Sequence, residues 1–372
     1  MSGEQGIVII NCFDTYEHRV NLLMEFFKSQ GEDVHVITSD WRHFHKEVRT
    51  EYPEGFEAIH VKPYTRNLSA DRLLSHHDFA KDVFVRMEQL RPKLLWVLVP
   101  PNSLVKCAAE YKNRYPDTKL VLDLIDMWPE TMPISRFKSV PPLSLWGRLR
   151  NQYLDRADLI VTECELYQTV LQKYSPREKM VTLHLARETN MQKSAPVLPE
   201  DKISLCYLGS INNIIDIPCI AGIVQSIDAP VELHIIGDGE KRQDLIDAAS
   251  AAGAQVIYHG KVYDPEEKQR IFDGCHFGLN IMKESVFVGL TMKSMDYWEA
   301  SLPVINNIKG DTWELVDKHG IGVNYSVGQR LPVQMLISLQ ENRQKVRQVF
   351  SAMFTKQAFD RRLESILEQL GE

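Results

Sequence analysis

Nowhere in its 372 residues does the chain run through the roughly 18 consecutive apolar residues that a membrane span requires. The short apolar run at 7–10 has no basic segment before it, so no secretory signal peptide is expected. Positive charge is not in excess. Forty-three Lys and Arg stand against 50 Asp and Glu, a net −7, which argues against a strongly basic nucleic-acid binder. Cysteine is scarce and scattered, at 12, 107, 164, 206, 219 and 275, without any Cys-x-x-Cys. That spacing disfavours a zinc ribbon or disulfide framework and predicts buried, reduced thiols in a cytoplasmic protein. A G-x-G-x-x-G fingerprint, a short-period repeat and a low-complexity tract are all missing as well. What remains is 44% hydrophobic and 25% charged, the composition of a folded globular chain. Its length is too great for one ordinary core and predicts two domains.

Short Val/Ile/Leu-rich runs recur between amphipathic stretches. In the first half they fall at 7–10, 34–38, 58–61, 94–99, 119–125, 158–162 and 180–184; in the second, at 203–208, 231–236, 255–258, 277–281 and 303–306. Continuous apolar runs of this kind suit strands buried on both faces of a parallel sheet. Between them the period becomes helical. Val20, Leu23, Met24 and Phe27 share one face, and Gly31 stops that helix before the next strand. Further helices are expected at 240–252, 265–273, 293–300 and 312–319, with a last amphipathic helix at 358–370. The polar segment 187–202, with Pro196 and Pro199, reads as a linker. The expected fold is therefore α/β, with two doubly wound Rossmann-like domains facing a cleft, where loops leave the carboxyl ends of the strands. Residues 1–190 form the first domain, completed by the helix at 355–372, and residues 191–354 form the second.

Four strand ends carry unusual chemistry. After 203–208 comes Gly209-Ser210-Ile211-Asn212-Asn213, where glycine admits close backbone approach and short polar side chains offer hydrogen bonds; a plain turn reads equally well. After 231–236 comes Gly237-Asp238-Gly239, whose acid caps the next helix or meets a base or ribose. The third is Gly289-Leu290-Thr291-Met292-Lys293, a loop opening into a helix whose free N–H groups attract phosphate. Lys293 adds a cation, and Asp296, one turn on, is placed to accept ribose hydroxyls. The alternative is a solvated lysine with an ordinary helix-start aspartate. The fourth is Asp123-Leu124-Ile125-Asp126-Met127-Trp128-Pro129-Glu130. Carboxylates beside an aromatic ring suit a sugar; alternatively Asp123 points into the fold and Trp128 packs in the core. On a strand Asp-x-x-Asp divides its carboxylates between opposite faces, which disfavours a metal pair.

These segments, with 207–210, 234–239, 256–262 and 289–304 in the same order, resemble bacterial glycosyltransferases of the GT-B fold, the retaining family 4 group that builds capsules, exopolysaccharides and O-antigens. The resemblance spans most of the chain. It implies a nucleotide-sugar donor, UDP being the commonest, held by the second domain, and a glycan or polyprenyl-diphosphate-linked acceptor held by the first. Asp296 then takes the ribose position. Gly289, Leu290 and Thr291 contact the diphosphate, Gly209 and Ser210 face the phosphates, and Asp238 and Gly239 lie near the nucleotide. Neither a divalent metal nor another cofactor is implied. Transfer occurs by same-face substitution, with the departing diphosphate accepting the acceptor's proton, and Asp126 is the carboxylate nearest the reacting centre.

Three departures from the family pattern stand out. The loop at 211–216 holds no cation where relatives carry Arg and Lys, which leaves Lys293 or Lys261 for the diphosphate. Val288 replaces a family Glu eight residues before Asp296. The loop 11–19 lacks the usual Gly-Gly, and its His18 and Arg19 become acceptor candidates beside Trp128 and Glu130. Charge is uneven, at −1 over 1–190 and −6 over 191–372. Within 131–154 lie four cations (Arg136, Lys138, Arg148, Arg150), no acid, and Phe137, Trp146 and Tyr153, which suits the anionic inner face of a membrane or a solvated helix with its core stripe. The imidazoles of His76-His77-Asp78 and of 41–45 read as acceptor-domain surface rather than metal ligands. Rival readings are a sugar-nucleotide epimerase of the same fold and a non-catalytic partner subunit.

Overall fold

The computed structural model describes residues 6–66, 69–132, 143–187, 196 and 198–371. The chain divides into two compact units, one of residues 1–186 with 359–372 and one of residues 187–358.

The first unit runs β1 (Ile7–Asn11), α1 (Glu17–Ser29), β2 (Val34–Ser39), β3 (Trp41–Arg42), β4 (Glu47–Val48), β5 (Phe56–Ile59), α2 (Ala70–Leu90), β6 (Leu94–Val99), α3 (Ser103–Arg114), β7 (Lys119–Leu124), α4 (Leu143–Asn151), β8 (Leu159–Thr162), α5 (Glu165–Leu171) and β9 (Met180–Thr182). Seven strands form one parallel sheet in the order β5-β2-β1-β6-β7-β8-β9. The chain thus winds outward from β1 in both directions. β1, β6 and β7 lie inside the sheet; β1 and β6 are buried along their whole length and β7 at all but its first residue, as their unbroken apolar runs require. The antiparallel pair β3–β4 stands apart from the sheet. On one face α1 packs Val20, Leu23, Phe26 and Phe27 against β1 and β6. The C-terminal helix, Lys356–Gly371, fills the same core with Phe359, Leu363, Ile366 and Leu370. Burial of each such side chain contributes about 1.5–3 kcal/mol.

The second unit runs β10 (Ile203–Leu208), α6 (Ile217–Ser226), β11 (Val231–Ile236), α7 (Arg242–Ala251), β12 (Ala254–Gly260), α8 (Pro265–Asp273), β13 (Phe277–Asn280), α9 (Met292–Glu299), β14 (Val304–Asn306), α10 (Asp311–His319), β15 (Gly322–Asn324), α11 (Val333–Gln340) and α12 (Arg343–Met353). Its six strands are all parallel, in the order β12-β11-β10-β13-β14-β15. Short side chains start its helices. Asp216 accepts from the Cys219 amide, Asp264 from Glu266 and Thr291 from Ser294, each satisfying an amide the helix leaves open.

The structure departs from expectation in several places. The strand expected at 58–61 is β5, which starts two residues earlier. β3, β4, β15, α2, α3, α5, α6, α11 and α12 had no range assigned from the sequence. The linker expected at 187–202 begins with Arg187 bridged to Thr355, and its residues 188–195 and 197 lie outside the described set. The histidines read as surface are partly interior: His76 is buried, as is Trp41. All six cysteines are free thiols, five of them buried.

Candidate functional site

The carboxyl end of β7 carries the two aspartates singled out in the first unit, and they do different work. Asp123 is fully buried and receives Arg19 in a two-point ion pair, Nε to Oδ2 and Nη2 to Oδ1, both 2.8 Å. The Trp96 indole also donates to Asp123 Oδ2 at 2.8 Å, and Arg19 Nη1 donates to the Leu183 carbonyl. Arg19, expected to meet an acceptor, is instead a core cation at 1% exposure that joins α1 to the middle and far end of the sheet. His18 is exposed, and its Nε2 lies 2.6 Å from the Ala186 carbonyl.

Asp126 lies just beyond the strand and faces a set of donors. Trp128 Nε1 donates to Oδ2 at 2.6 Å, the Thr131 hydroxyl donates to Oδ1, and the Tyr16 hydroxyl approaches Oδ2 at 3.5 Å. Burial pushes the Asp126 carboxyl above its ordinary range, opposed by Thr131 and Trp128. Burial, with the Asp126 and Glu163 charges, drives the Tyr16 phenol well up. Trp128 is itself buried, so it contributes its N–H to Asp126 rather than an open ring face. Its ring meets Phe13, His76 and Trp146 at 5.5, 6.2 and 5.5 Å between centroids, with the Arg72 guanidinium 4.5 Å from its centre. Glu130 receives Arg150 in a two-point pair at 2.7 and 3.0 Å, and Arg150 also donates to the Trp128 carbonyl. Arg150 is fully buried, which removes it from the cationic face expected over 131–154. Arg148 and Leu145 of α4 are exposed, while Arg136, Phe137 and Lys138 lie outside the described residues.

In the second unit the chemistry gathers at the carboxyl ends of β10, β11 and β13. Lys293, in the first turn of α9, extends its ammonium to the Tyr207 hydroxyl at 3.0 Å and lies 4.3 Å over that ring. A Cβ on Gly209 would sit 3.6 Å from Lys293 Cε, so the amine borders that glycine turn. Burial lowers the Lys293 ammonium to about 8, and among the described residues no carboxylate pairs with it. Tyr207 in turn donates to the Ser210 carbonyl, and Ser210 is exposed. Tyr297 ties the site together from α9, accepting from the Leu208 amide at 2.7 Å and reaching the Cys206 carbonyl at 3.0 Å.

The Gly237-Asp238-Gly239 loop packs backbone to backbone on the loop after β10. A Cβ at Gly237, where φ is +137°, would lie 2.0 Å from the Gly209 carbonyl oxygen. One at Gly239 would lie 2.3 Å from that of Ile211, and the Ile211 amide donates to the Asp238 carbonyl. These glycines are therefore taken up by contact between loops. The Asp238 carboxylate accepts from the Gly239 amide and from Arg242 at 3.3 Å. Lys261 is exposed directly after β12.

The loop at 289–291 is equally well anchored. The Gly289 carbonyl accepts from the Thr312 amide and hydroxyl, and Leu290 is buried. Thr291, expected to contact the diphosphate through its backbone or its hydroxyl, uses the hydroxyl to cap α9 and to donate to Asn280 Oδ1 at 2.8 Å. Asn280 passes the connection to Asn306 at 3.0 Å, and Asn306 to Asn324 at 2.8 Å, across three neighbouring strand ends. Asp296 is half-buried between two cations, Arg187 at 3.4 Å and Lys268 at 3.6 Å. Neither was singled out from sequence; Arg187 lies in the expected linker and Lys268 among the charges of α8. Among the described residues, no three His, Cys, Asp or Glu side chains gather as a metal ion would need.

Two parallel sheets, each winding outward from its first strand with the polar side chains at the strand ends, define a pair of Rossmann-like units. Among solved structures the chain is similar to the lipopolysaccharide outer core galactosyltransferase WaaB in its apo form, at TM-score 0.68 and 12% identity over 98% of this chain and 99% of that one. It is similar to Anabaena HepE in complex with UDP, at TM-score 0.65 and 12% identity over 98% and 99%. It also matches sucrose-phosphate synthase from Thermosynechococcus elongatus, at TM-score 0.64 and 12% identity over 99% of both chains. The chain has the GT-B glycosyltransferase fold. No family model and no curated protein matches it in sequence.

Proposed function

We propose that the protein is a glycosyltransferase that moves a sugar from a nucleoside-diphosphate donor, UDP in the first instance, to a glycan or polyprenyl-diphosphate-linked acceptor. The observation that carries this reading is Lys293, a largely buried ammonium beside the Gly209 turn and the start of α9, with no carboxylate among the described residues to compensate it. A buried cation without a counter-ion is costly, and a diphosphate at a helix N-terminus supplies one. HepE, of the same fold, binds UDP and UDP-glucose. Asp296 accepts ribose hydroxyls, with Arg187 and Lys268 holding the carboxylate in place. Gly209, Ser210, Asp238, Gly239, Lys261 and the 289–291 backbone border the donor.

Transfer proceeds with retention and without a metal. The bond from the anomeric carbon to the phosphate oxygen breaks as the bond to the acceptor oxygen forms on the same face, and the acceptor proton passes to the departing diphosphate. Asp126 orients the acceptor hydroxyl, and Lys293 stabilises the charge on the leaving group. His18 and Glu130 border the acceptor. The setting is bacterial surface polysaccharide synthesis on the inner face of the cytoplasmic membrane, which α4 touches through Arg148 and Leu145. Among the described residues no helix is long and apolar enough to cross a membrane.

The test is Asp126→Asn, assayed for turnover and for UDP binding by calorimetry. The reading requires kcat to fall by about 10²–10⁴-fold with UDP affinity retained. Unchanged kcat removes Asp126 from the reaction. If the wild-type protein binds UDP but turns over no acceptor, the non-catalytic alternative stands instead.

A further inference from the structure

Beside Asp126 lies a cluster that the proposed reaction does not use. α2 presents Arg72 and His76, one turn apart, toward the Trp128 ring; both are buried, at 6% and 3% exposure. Arg72 Nε points at His76 Nε2 at 3.4 Å, which makes that nitrogen the acceptor and the imidazole neutral. Burial, with Arg72 and His43 nearby, pushes His76 well below the ordinary histidine range. The positive charge of this pair therefore sits on Arg72. Its guanidinium carbon is 4.5 Å from the Trp128 ring centre, nearer than the 5.8 Å to Phe13 and to Tyr64. His76 stacks on the same indole at 25°, and Phe13 and Trp146 close its remaining edges. The indole is thus fixed in orientation, with Nε1 2.6 Å from Asp126 Oδ2.

We propose that Arg72 is a positioning residue for the transfer reaction: its cation on the face of Trp128 strengthens the indole N–H donated to Asp126 and so keeps that carboxylate ionised and fixed in direction. The physical basis is polarisation. A cation over an indole draws electron density from the ring, the N–H becomes a better donor, and a charge-assisted bond to a carboxylate tightens. Packing alone would be met by an apolar side chain of similar length without the cost of burying a charge. Other groups also act on Asp126. The Thr131 hydroxyl and Met127 amide come from its own loop and the Tyr16 hydroxyl from the turn before α1, each favouring the ionised form. The Tyr16 and Tyr167 phenols feel the charges of both Asp126 and Glu163, and Tyr16 also feels that of Arg72, which places Glu163, after β8, in the same neighbourhood.

This inference rests on the proposed role of Asp126, so its test has a readout that needs no turnover. The full chain is labelled at its six tryptophan indole nitrogens, and the Trp128 N–H resonance, identified by its loss in W128F, is followed against pH. The wild-type resonance is expected to show one carboxylate titration that vanishes in D126N. In R72M its midpoint rises by about one pH unit, and in R72K it stays near the wild type. The acid limb of kcat moves with it. A midpoint unmoved in R72M overturns the coupling; R72Q, which also lacks the charge, applies the same criterion if R72M does not fold. If the midpoint moves but D126N keeps full turnover, the coupling stands and the catalytic role of Asp126 falls.

Discussion

Replacing Arg19 by methionine leaves Asp123 with a full charge inside the sheet and, of its three short hydrogen bonds, only the one from Trp96. Both side chains of the pair are at 1% exposure or less, so water cannot take the place of the guanidinium. Breaking such a pair from one side costs about 3–5 kcal/mol. Against a usual domain stability of about 5–15 kcal/mol, that is a large share. With a urea m-value of about 2–3 kcal/mol/M, the unfolding midpoint of the first unit should drop by about 1–2 M, read by circular dichroism and tryptophan fluorescence. One control sharpens the test. R19M/D123L, which removes both charges, should recover to within about 2 kcal/mol of wild type, since apolar replacement of a buried pair is often nearly neutral. A loss below about 1 kcal/mol in R19M, together with weakened acceptor binding, would refute the core assignment and return Arg19 to the acceptor.

Donor binding should depend on pH through Lys293. Burial lowers its ammonium to about 8, so the cation is present below that pH and lost above it. UDP affinity measured by calorimetry should therefore fall as pH rises through about 8, and K293A should bind more weakly with that dependence flattened; a slope unchanged in K293A would contradict the assignment. Membrane contact through α4 should appear as flotation of the protein with anionic vesicles but not with neutral ones, decreasing with salt. Absence from both vesicle fractions would end that proposal.

Strands buried on both faces were the easiest elements to read, because their apolar runs are bounded sharply by polar residues. 94–99, 203–208 and 231–236 match β6, β10 and β11 end for end. β15 escaped notice because three residues beginning with glycine carry no such run. Polar residues that turn inward mislead in another way. Arg19, Arg72 and Arg150 are among the most buried charges, yet each looks like helix surface in a linear reading, since the partners that accompany its burial lie elsewhere along the chain, for Arg72 an indole ring among them. The candidate site divides along the same line. Asp126, Trp128, Lys293 and Asp296 could be picked out as candidates because ligands of such folds bind at strand ends and helix starts. Tyr16, 110 residues from Asp126, and Tyr207, 86 from Lys293, are brought in only by the fold. The glycines at 237 and 239 show the converse, since a ligand and a neighbouring loop make the same demand for a missing side chain.

The C-terminal helix has a consequence for how the chain is made. Because Phe359, Leu363, Ile366 and Leu370 belong to the core of the first unit, a ribosome that has released residues 1–186 has produced a domain with an open side. The second unit, contiguous from 187 to 358, can finish while the first still waits. Synthesis order and folding order are therefore inverted. For the time needed to add the remaining residues, the apolar face on β1, β6 and α1 is unsealed and available to chaperones or to other nascent chains.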